Sequence, residues 1–246
     1  MPLSPAQRAR YRRNIAVPGL GERGLERLLA ARVVVVGAGG LGSATLPYLV
    51  GAGVGRITIL DGDVVEEHNL QRQVLHHEVG RNKARSAVER LAPLNPGVRL
   101  EAVEAHVTIE HAQEQLAGAD LVLDCTDTFS AKLLLSDTAC ALDVPLVWAS
   151  AVGMQGQCSV FGVPAPDGEP RWLRDLHPAE PPSGAYPTAE EIGILGTTVA
   201  QVGTVQAGEA LKLLAGFGEL LAGRVWILDA AAGRSDVIPF GRRTHP

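Results

Sequence analysis

Four consecutive valines, Val33 to Val36, run directly into Gly37, Gly39, Gly40 and Gly42, and an apolar helical stretch follows. An uninterrupted β-branched run of this length predicts a strand covered on both faces, as in a parallel sheet with helices on either side. A second strand at Arg56–Leu60 ends on Asp61, so residues 32–61 read as a βαβ unit. Its first turn carries G-x-G-x-x-G, and its acidic residue falls about 20 positions further on, where a ribose hydroxyl sits in dinucleotide-binding folds. The glycines have separate tasks. Gly37 makes the tight turn, Gly39 lets the backbone approach an anion, and Gly42 lets helix and strand pack closely. The helix start then offers unpaired N–H groups and a positive dipole end, which together suit a phosphate.

Elsewhere the pattern alternates. Ser4–Asn14 predicts a basic helix and Gly21–Ala31 a short one with Leu25, Leu28 and Leu29 on one face. Helices are expected at 82–91, 108–116 and 129–142, and strands at 98–103, 120–124 and 145–150. Strand–helix alternation of this kind implies an α/β fold with a doubly wound, Rossmann-like, mostly parallel sheet in a single domain. Beyond residue 150 come a strand at 157–163, a helix at 195–214 and two closing strands at 224–229 and 234–238, read as antiparallel additions. Between them, Pro164–Thr188 holds seven prolines and two glycines in 25 residues, and is expected to be a loop without regular structure.

Bulk properties exclude some roles. A net charge of −5 and an isoelectric point near 5.8 argue against general nucleic-acid or membrane-surface binding. No run of 18 apolar residues occurs and the N-terminus lacks an apolar signal core, so a soluble cytoplasmic protein is expected. Cys125, Cys140 and Cys158 form no C-x-x-C pair and read as small buried hydrophobes in a reducing compartment. His68, His76 and His77 lack nearby carboxylate or cysteine partners, so surface or capping roles are expected. Trp148 and Trp172 read as packing residues.

A lone glycine motif would suggest a nicotinamide or flavin enzyme, but four further segments narrow the chemistry. Asn69-Leu70-Gln71-Arg72-Gln73 follows Asp61-Gly62-Asp63. Lys83 comes about ten residues later at a helix start. The strand DLVLD opens onto Cys125-Thr126-Asp127, and Arg10-Tyr11-Arg12-Arg13 forms an N-terminal cation cluster. Two cations, Arg72 and Lys83, and a carboxylate, Asp127, thus fall on the rim of a nucleotide crevice. Hydride transfer has no use for them. A triphosphate does, because Arg and Lys clamp phosphoryl oxygens while a carboxylate holds Mg²⁺.

GAGGLG, ILDGD, NLQRQ, GRNKA and LVLDCTD, in this order, resemble the ThiF/MoeB/HesA family, prokaryotic relatives of ubiquitin-activating enzymes. The resemblance covers nearly the whole chain. It implies an ATP-dependent adenylyltransferase that converts the C-terminal Gly-Gly carboxylate of a ubiquitin-like sulfur-carrier protein to an acyl-adenylate. The carrier then receives sulfur, from a donor such as a cysteine desulfurase or rhodanese, for molybdopterin, thiamine or thiolated tRNA. Residues 31–150 would form the nucleotide-binding half and 151–246 the carrier-binding half, with loop 164–190. By resemblance Asp61 holds the ribose, Gly39 and Gly40 approach the α-phosphate, and Asn69, Arg72 and Lys83 face the triphosphate. Asp127 places Mg²⁺, with Asp124 second to it. Arg13 matches a family arginine that reaches the ATP of the other subunit of a homodimer.

The chain also departs from the family. Many relatives bind zinc through two C-x-x-C pairs. Here the first place reads Arg171-Trp172-Leu173-Arg174, and the C-terminus, PFGRRTHP, has no cysteine. His177 and His245 are too few to replace the thiolates, so no zinc is expected. Pro187–Glu191 lacks the loop cysteine of many relatives, so the reaction is expected to stop at the adenylate. Thr128 stands where relatives often have Asn. Two other readings stay open at this point. One is a dehydratase that cyclises threonylcarbamoyl-adenosine in tRNA, and the other is a nicotinamide-binding oxidoreductase or binding module.

Overall fold

The valine run becomes the third strand of one eight-stranded sheet, next to its central pair. A computed structural model describes residues 2–182, 184, 185 and 187–242. In chain order the elements are α1 (Pro5–Arg10), α2 (Arg12–Ile15), α3 (Gly21–Ala30), β1 (Arg32–Val36), α4 (Gly40–Ala52), β2 (Arg56–Leu60), α5 (Lys83–Leu91), β3 (Arg99–Val103), α6 (Ala112–Leu116) and β4 (Leu121–Asp124). They continue as α7 (Phe129–Ala141), β5 (Leu146–Val152), β6 (Gln155–Phe161), α8 (Leu173–Leu176), α9 (Ala189–Ile192), α10 (Gly196–Ala215), β7 (Arg224–Asp229) and β8 (Arg234–Pro239). The strand order is β3-β2-β1-β4-β5-β6-β7-β8. The first five strands pair in parallel, and β6, β7 and β8 add antiparallel.

All four valines are buried, and their alternation divides them between two cores. Val33 and Val35 face a cluster with Leu46 and Leu49 of α4, Leu25 and Leu28 of α3, and Val202 of α10. Val34 and Val36 face Leu133 and Leu135 of α7, with Trp148 and Phe161. Burial stabilises each such side chain by about 2 kcal/mol, while ordering its backbone costs about 1–2 kcal/mol. The strand therefore gains only because helices cover both faces.

α4 and α10 meet across their glycines. A Cβ at Gly203 would come within 2.7 Å of the Ala44 Cβ and 2.8 Å of the Leu41 carbonyl. This close approach brings Gln206, fully buried, to the sheet, where its Nε2 donates to the carbonyls of Asp124 (2.8 Å) and Val147 (3.1 Å). Its Oε1 accepts from Cys125 Sγ at 3.2 Å and faces Thr45 Oγ1 at 3.0 Å. One amide thus joins α10, α4, β4 and β5 beneath the strand ends.

Several expectations need correction. The basic N-terminal helix breaks at Tyr11, whose ring is buried and whose hydroxyl accepts from Asn95 Nδ2 at 2.8 Å. Tyr11 sits against Gly53, where any Cβ would lie 2.5 Å from its hydroxyl, so tertiary anchoring ends the helix. The helix expected from Thr108 starts only at Ala112, because the Thr108 carbonyl receives both His111 N–H (3.2 Å) and Ala112 N–H (2.8 Å) in a turn. Loop 164–188 is not wholly irregular. It contains α8, anchored by fully buried Leu173, and Arg171 closes it by an ion pair to Asp167 and a 3.0 Å bond to the Glu169 carbonyl. Cys140 is exposed rather than buried, whereas Cys125 and Cys158 lie in the core. Trp148 is a core residue, and Trp172 packs over Gly162.

Candidate nucleotide site

The glycine turn lies where β1 hands over to α4, between the ends of β2 and β4. At Gly37 φ is +99°, and a Cβ there would lie 2.5 Å from the Cys125 carbonyl on the β4 exit. A Cβ on Gly42 would lie 2.4 Å from the Gly37 carbonyl, and on Gly40 it would press on Val199 of α10 at 3.3 Å. Gly37 and Gly42 are required by the protein's own packing, and Gly40 sits in tight contact with Val199. Gly39 is under neither constraint. A Cβ there would meet only the Gln73 amide, at an ordinary 3.5 Å. The small residue leaves room at the N-terminus of α4, whose 13 residues present a dipole end suited to an anion.

Asp61 holds this turn from the end of β2. Its Oδ2 accepts from Ala38 N–H (2.7 Å) and its Oδ1 from Asp63 N–H (2.9 Å). Burial raises the pKa of its carboxyl from the ordinary value, against the pull of those two N–H donors and of Lys83. Lys83, the first residue of α5, is only 7% exposed and pairs with Asp63 Oδ2 at 2.9 Å. It is not the solvated helix cation that its neighbours in sequence suggest. Asn82 caps α5 through Arg85 N–H and also donates to the carbonyls of Asp61 and Asp63, which fixes the helix start against the β2 exit.

The segment after Asp63 lies across the turn. Asn69 is buried, its Oδ1 accepting from Glu66 N–H at 3.1 Å, so the side chain shapes its own loop. Arg72 is half-buried, with Nη1 on the His68 carbonyl at 3.1 Å, and its backbone lies beside Gly196 at the head of α10. His76 corrects the surface expectation for the three histidines. It is buried, with Nε2 2.7 Å from the Ala38 carbonyl and Nδ1 2.9 Å from Ser86 Oγ of α5. A carbonyl can only accept, so Nε2 carries the proton and Nδ1 accepts from Ser86. Burial lowers the pKa of this imidazole and keeps it neutral. The Ala38 peptide is therefore gripped at both ends, N–H by Asp61 and C=O by His76. Neither grip was legible beforehand, because the partners lie 23 and 38 residues away.

Across the turn, β4 ends on Asp124, paired in register with Val36. Asp124 is fully buried and bound to Lys132, so it is not available to a metal. Asp127 is exposed at the strand exit, and Thr128 caps α7 through Ala131 N–H at 3.3 Å. Among the described residues no group of three or more His, Cys, Asp or Glu side chains could hold a metal ion, and His245 lies outside the described residues. A single carboxylate suits Mg²⁺, which takes most of its oxygens from phosphates and water.

The structure thus brings Gly37, Gly39, Gly40, Gly42, Asp61, Asn69, Arg72, Lys83 and Asp127 to the carboxyl ends of β1, β2 and β4. Arg13 is not among them. It is exposed and follows Tyr11, which packs on Gly53 at the C-terminal end of α4. The glycine turn is at the other end of that helix, about 20 Å away for 13 residues.

A family model for the ThiF family matches residues 11–245. The chain belongs to the ThiF family. The protein named "probable adenylyltransferase/sulfurtransferase MoeZ" from Mycobacterium tuberculosis is 46% identical over 230 residues, 93% of this chain and 59% of that protein. The chain therefore spans about three-fifths of that relative's length. The "sulfur carrier protein adenylyltransferase" of Thermus thermophilus is 47% identical over 224 residues, 90% of this chain and 83% of that one. Among solved structures, E. coli MccB superposes with a TM-score of 0.80 at 18% identity, covering 95% of this chain and 72% of that one, a likeness of fold.

The contrast between glycines is testable by substitution. Gly42→Ala should lower stability by about 2 kcal/mol or more, since its Cβ meets backbone. Gly39→Ala should stay within about 1 kcal/mol of wild type and yet lose ATP affinity at least tenfold. Thermal unfolding with and without ATP separates the two, and an equal loss of stability in both would remove the distinction.

Proposed function

We propose that this chain is an ATP-dependent adenylyltransferase that activates the C-terminal carboxylate of a ubiquitin-like sulfur-carrier protein. One observation carries the reading: Arg72 and Lys83 on one rim of the glycine turn, with Asp127 on the other. Adenylation joins two anions. The carrier carboxylate attacks the α-phosphorus, a P–O bond forms, and the bond to the β-phosphate oxygen breaks to release pyrophosphate. Such a step needs little covalent help, and aligning the reactants while offsetting their repulsion supplies most of the acceleration.

In this reading Asp61 takes the ribose, and the Gly39 and Gly40 backbone takes the α-phosphate. Asn69, Arg72 and Lys83 hold the phosphate chain, while Asp127 holds the nucleotide's Mg²⁺. When bound, the ion neutralises charge on the leaving pyrophosphate. Lys83 arrives already oriented by Asp63, so binding need not order its side chain. For the carrier tail, a shallow apolar groove of about 220 Å³ is lined by Gly153, Met154, Ile192, Ile194 and Leu195. It adjoins Gly196, which touches the Arg72 backbone, so a chain end seated there would point toward the phosphates. This supports 151–246 as the carrier-binding half of a single domain. The names of the relatives favour a sulfur carrier over tRNA or a nicotinamide cofactor, and a sulfur donor such as a cysteine desulfurase or rhodanese would act on the adenylate. No helix of the described residues is long and apolar enough to cross a membrane, which accords with action in the cytoplasm.

The test is exchange of labelled pyrophosphate into ATP in the presence of a carrier ending in Gly-Gly. Arg72→Ala and Lys83→Ala should each lower exchange by on the order of 10²-fold, the loss typical of a transition-state donor. Arg72→Ala should leave stability within about 0.5 kcal/mol, whereas Lys83→Ala, by removing a buried partner, should cost more. Exchange within threefold of wild type in both variants would sink the assignment.

Zinc is not expected in the working protein. Arg171, at the place of the first C-x-x-C, is 4% exposed and closes its loop on Asp167 instead. Elemental analysis after dialysis should find well under one zinc per chain. One tightly held equivalent would overturn this.

We further propose a homodimer in which Arg13 serves the partner's site. The packing of nearby Tyr11 at the far end of α4, about 20 Å from the glycine turn, favours action in trans over action in cis. Mixing Arg13→Ala chains with Lys83→Ala chains generates mixed dimers carrying one site with both residues and one with neither. Activity should recover toward about a quarter of wild type, since half the dimers are mixed and each regains one site of two. Subunit exchange without recovery would show that the arginine does not act in trans.

A further inference from the structure

The most deeply buried ion pair outside the crevice is Lys132 with Asp124. Lys132 in α7 is 2% exposed and Asp124 at the end of β4 is fully buried. The Nζ lies 3.2 Å from Asp124 Oδ2, 2.7 Å from the Thr126 carbonyl and 2.7 Å from the Ala149 carbonyl of β5. All three of its hydrogens are thereby used. Asp124 is equally committed, its Oδ1 accepting from Thr126 N–H at 2.9 Å and Thr126 Oγ1 at 2.6 Å. Two charges taken out of water are a poor source of stability, because desolvation offsets most of their attraction. What this pair does supply is definition. The Thr126 peptides are held on both sides, N–H by Asp124 and C=O by Lys132, and Thr128 is held as the cap of α7. Between those two fixed points stands Asp127, exposed at the strand exit.

We propose that Lys132 is a positioning residue for Asp127. By holding the Thr126 carbonyl it sets the direction in which the Asp127 carboxylate leaves the sheet, and Asp124 serves as its buried counter-ion. The inference rests on the reading that Asp127 receives the nucleotide's Mg²⁺. A merely structural pair would tie β4 to β5 through Ala149 and leave metal use unaffected.

The decisive variant is Asp124→Asn combined with Lys132→Met, which removes both charges together and keeps an acceptor for Thr126 N–H. Amide hydrogen exchange of the nucleotide-free chain should quicken at least tenfold at Thr126, whose N–H exchanges a carboxylate anchored by Lys132 for an unanchored amide oxygen, while Val122 and Leu123 stay protected. In pyrophosphate exchange, the Mg²⁺ concentration for half-maximal rate should rise at least tenfold, with the KM for ATP at saturating Mg²⁺ within threefold. A wild-type amide rate at Thr126, or a Mg²⁺ response that does not move, overturns the inference. Should the double variant fail to fold, Lys132→Arg carries the test. It keeps the charge but cannot place a compact ammonium among three acceptors. A threefold or greater rise in the Mg²⁺ requirement with unmoved ATP KM supports positioning, and an unchanged requirement overturns it. Asp127→Ala separates the two levels. If it leaves the Mg²⁺ response unchanged, the metal assignment itself has failed. If it abolishes that response and the Lys132 variants do not shift it, only the role of Lys132 has failed.

Discussion

Everything at the crevice depends on how closely α4 can approach the end of β1. The Cβ that Gly42 lacks would lie 2.4 Å from the Gly37 carbonyl, so the first turn of the helix rests directly on the strand exit. That contact aims the helix N-terminus at the mouth between β1 and β4, where the direction of winding reverses. With a side chain at Gly42 the helix would retreat, and its dipole end and N–H groups with it. The close packing of α10 on α4, through Gly203 against Ala44 and Leu41, follows from the same economy of volume. It is what allows Gln206 to reach the carbonyls of Asp124 and Val147 from the helix layer that α10 shares with α4.

The polar groups around the turn form one connected support. Asp61 and His76 hold the two ends of the Ala38 peptide, His76 leans on Ser86 of α5, and Asn82 ties the start of α5 to the Asp61 and Asp63 carbonyls. Lys83 therefore emerges from a helix whose start is fixed to the β2 exit. A change at Ser86 or His76, neither of which need touch a nucleotide, would be felt at Lys83 and at the glycine turn together. Coupled, buried hydrogen bonds of this kind are worth more as a network than as separate pairs.

How far this could be read from the sequence follows the range of each interaction. The parallel core of the sheet, its antiparallel additions and the glycine turn were legible because they rest on local patterns: a β-branched run, a glycine spacing, an acidic residue at a fixed offset. Arg72 and Lys83 were legible through the order of motifs, although the burial of Lys83 was not, since Asp63 lies 20 residues away. His76, Gln206 and Lys132 carried no signal. Their partners are carbonyls or carboxylates set beside them only by the fold, and a carbonyl 38 residues distant leaves no trace in composition or periodicity. The N-terminal helix fails for a related reason. Local propensity supports a helix through Asn14, but burying Tyr11 against Gly53 and Asn95 fixes the chain there and overrides it.

The balance of charge at the crevice shows how carboxylates can stand so near a proposed triphosphate site. Asp61 and Asp63 would repel a triphosphate if they faced it bare. Asp61 instead receives a backbone N–H on each oxygen, which leaves acceptor capacity for a hydroxyl, and Asp63 is matched by Lys83 at 2.9 Å. A lysine loses on the order of 2 kcal/mol of rotamer freedom when fixed, and here folding has met that cost before any ligand arrives. The ammonium then needs only to share its remaining donors with a phosphate. A charge held ready in a partly water-excluded site acts more strongly on a developing oxyanion than one that must first be ordered and stripped of solvent. In the proposed reading the carboxylates work as part of the cationic apparatus, holding the turn and the lysine in the geometry that phosphates would require.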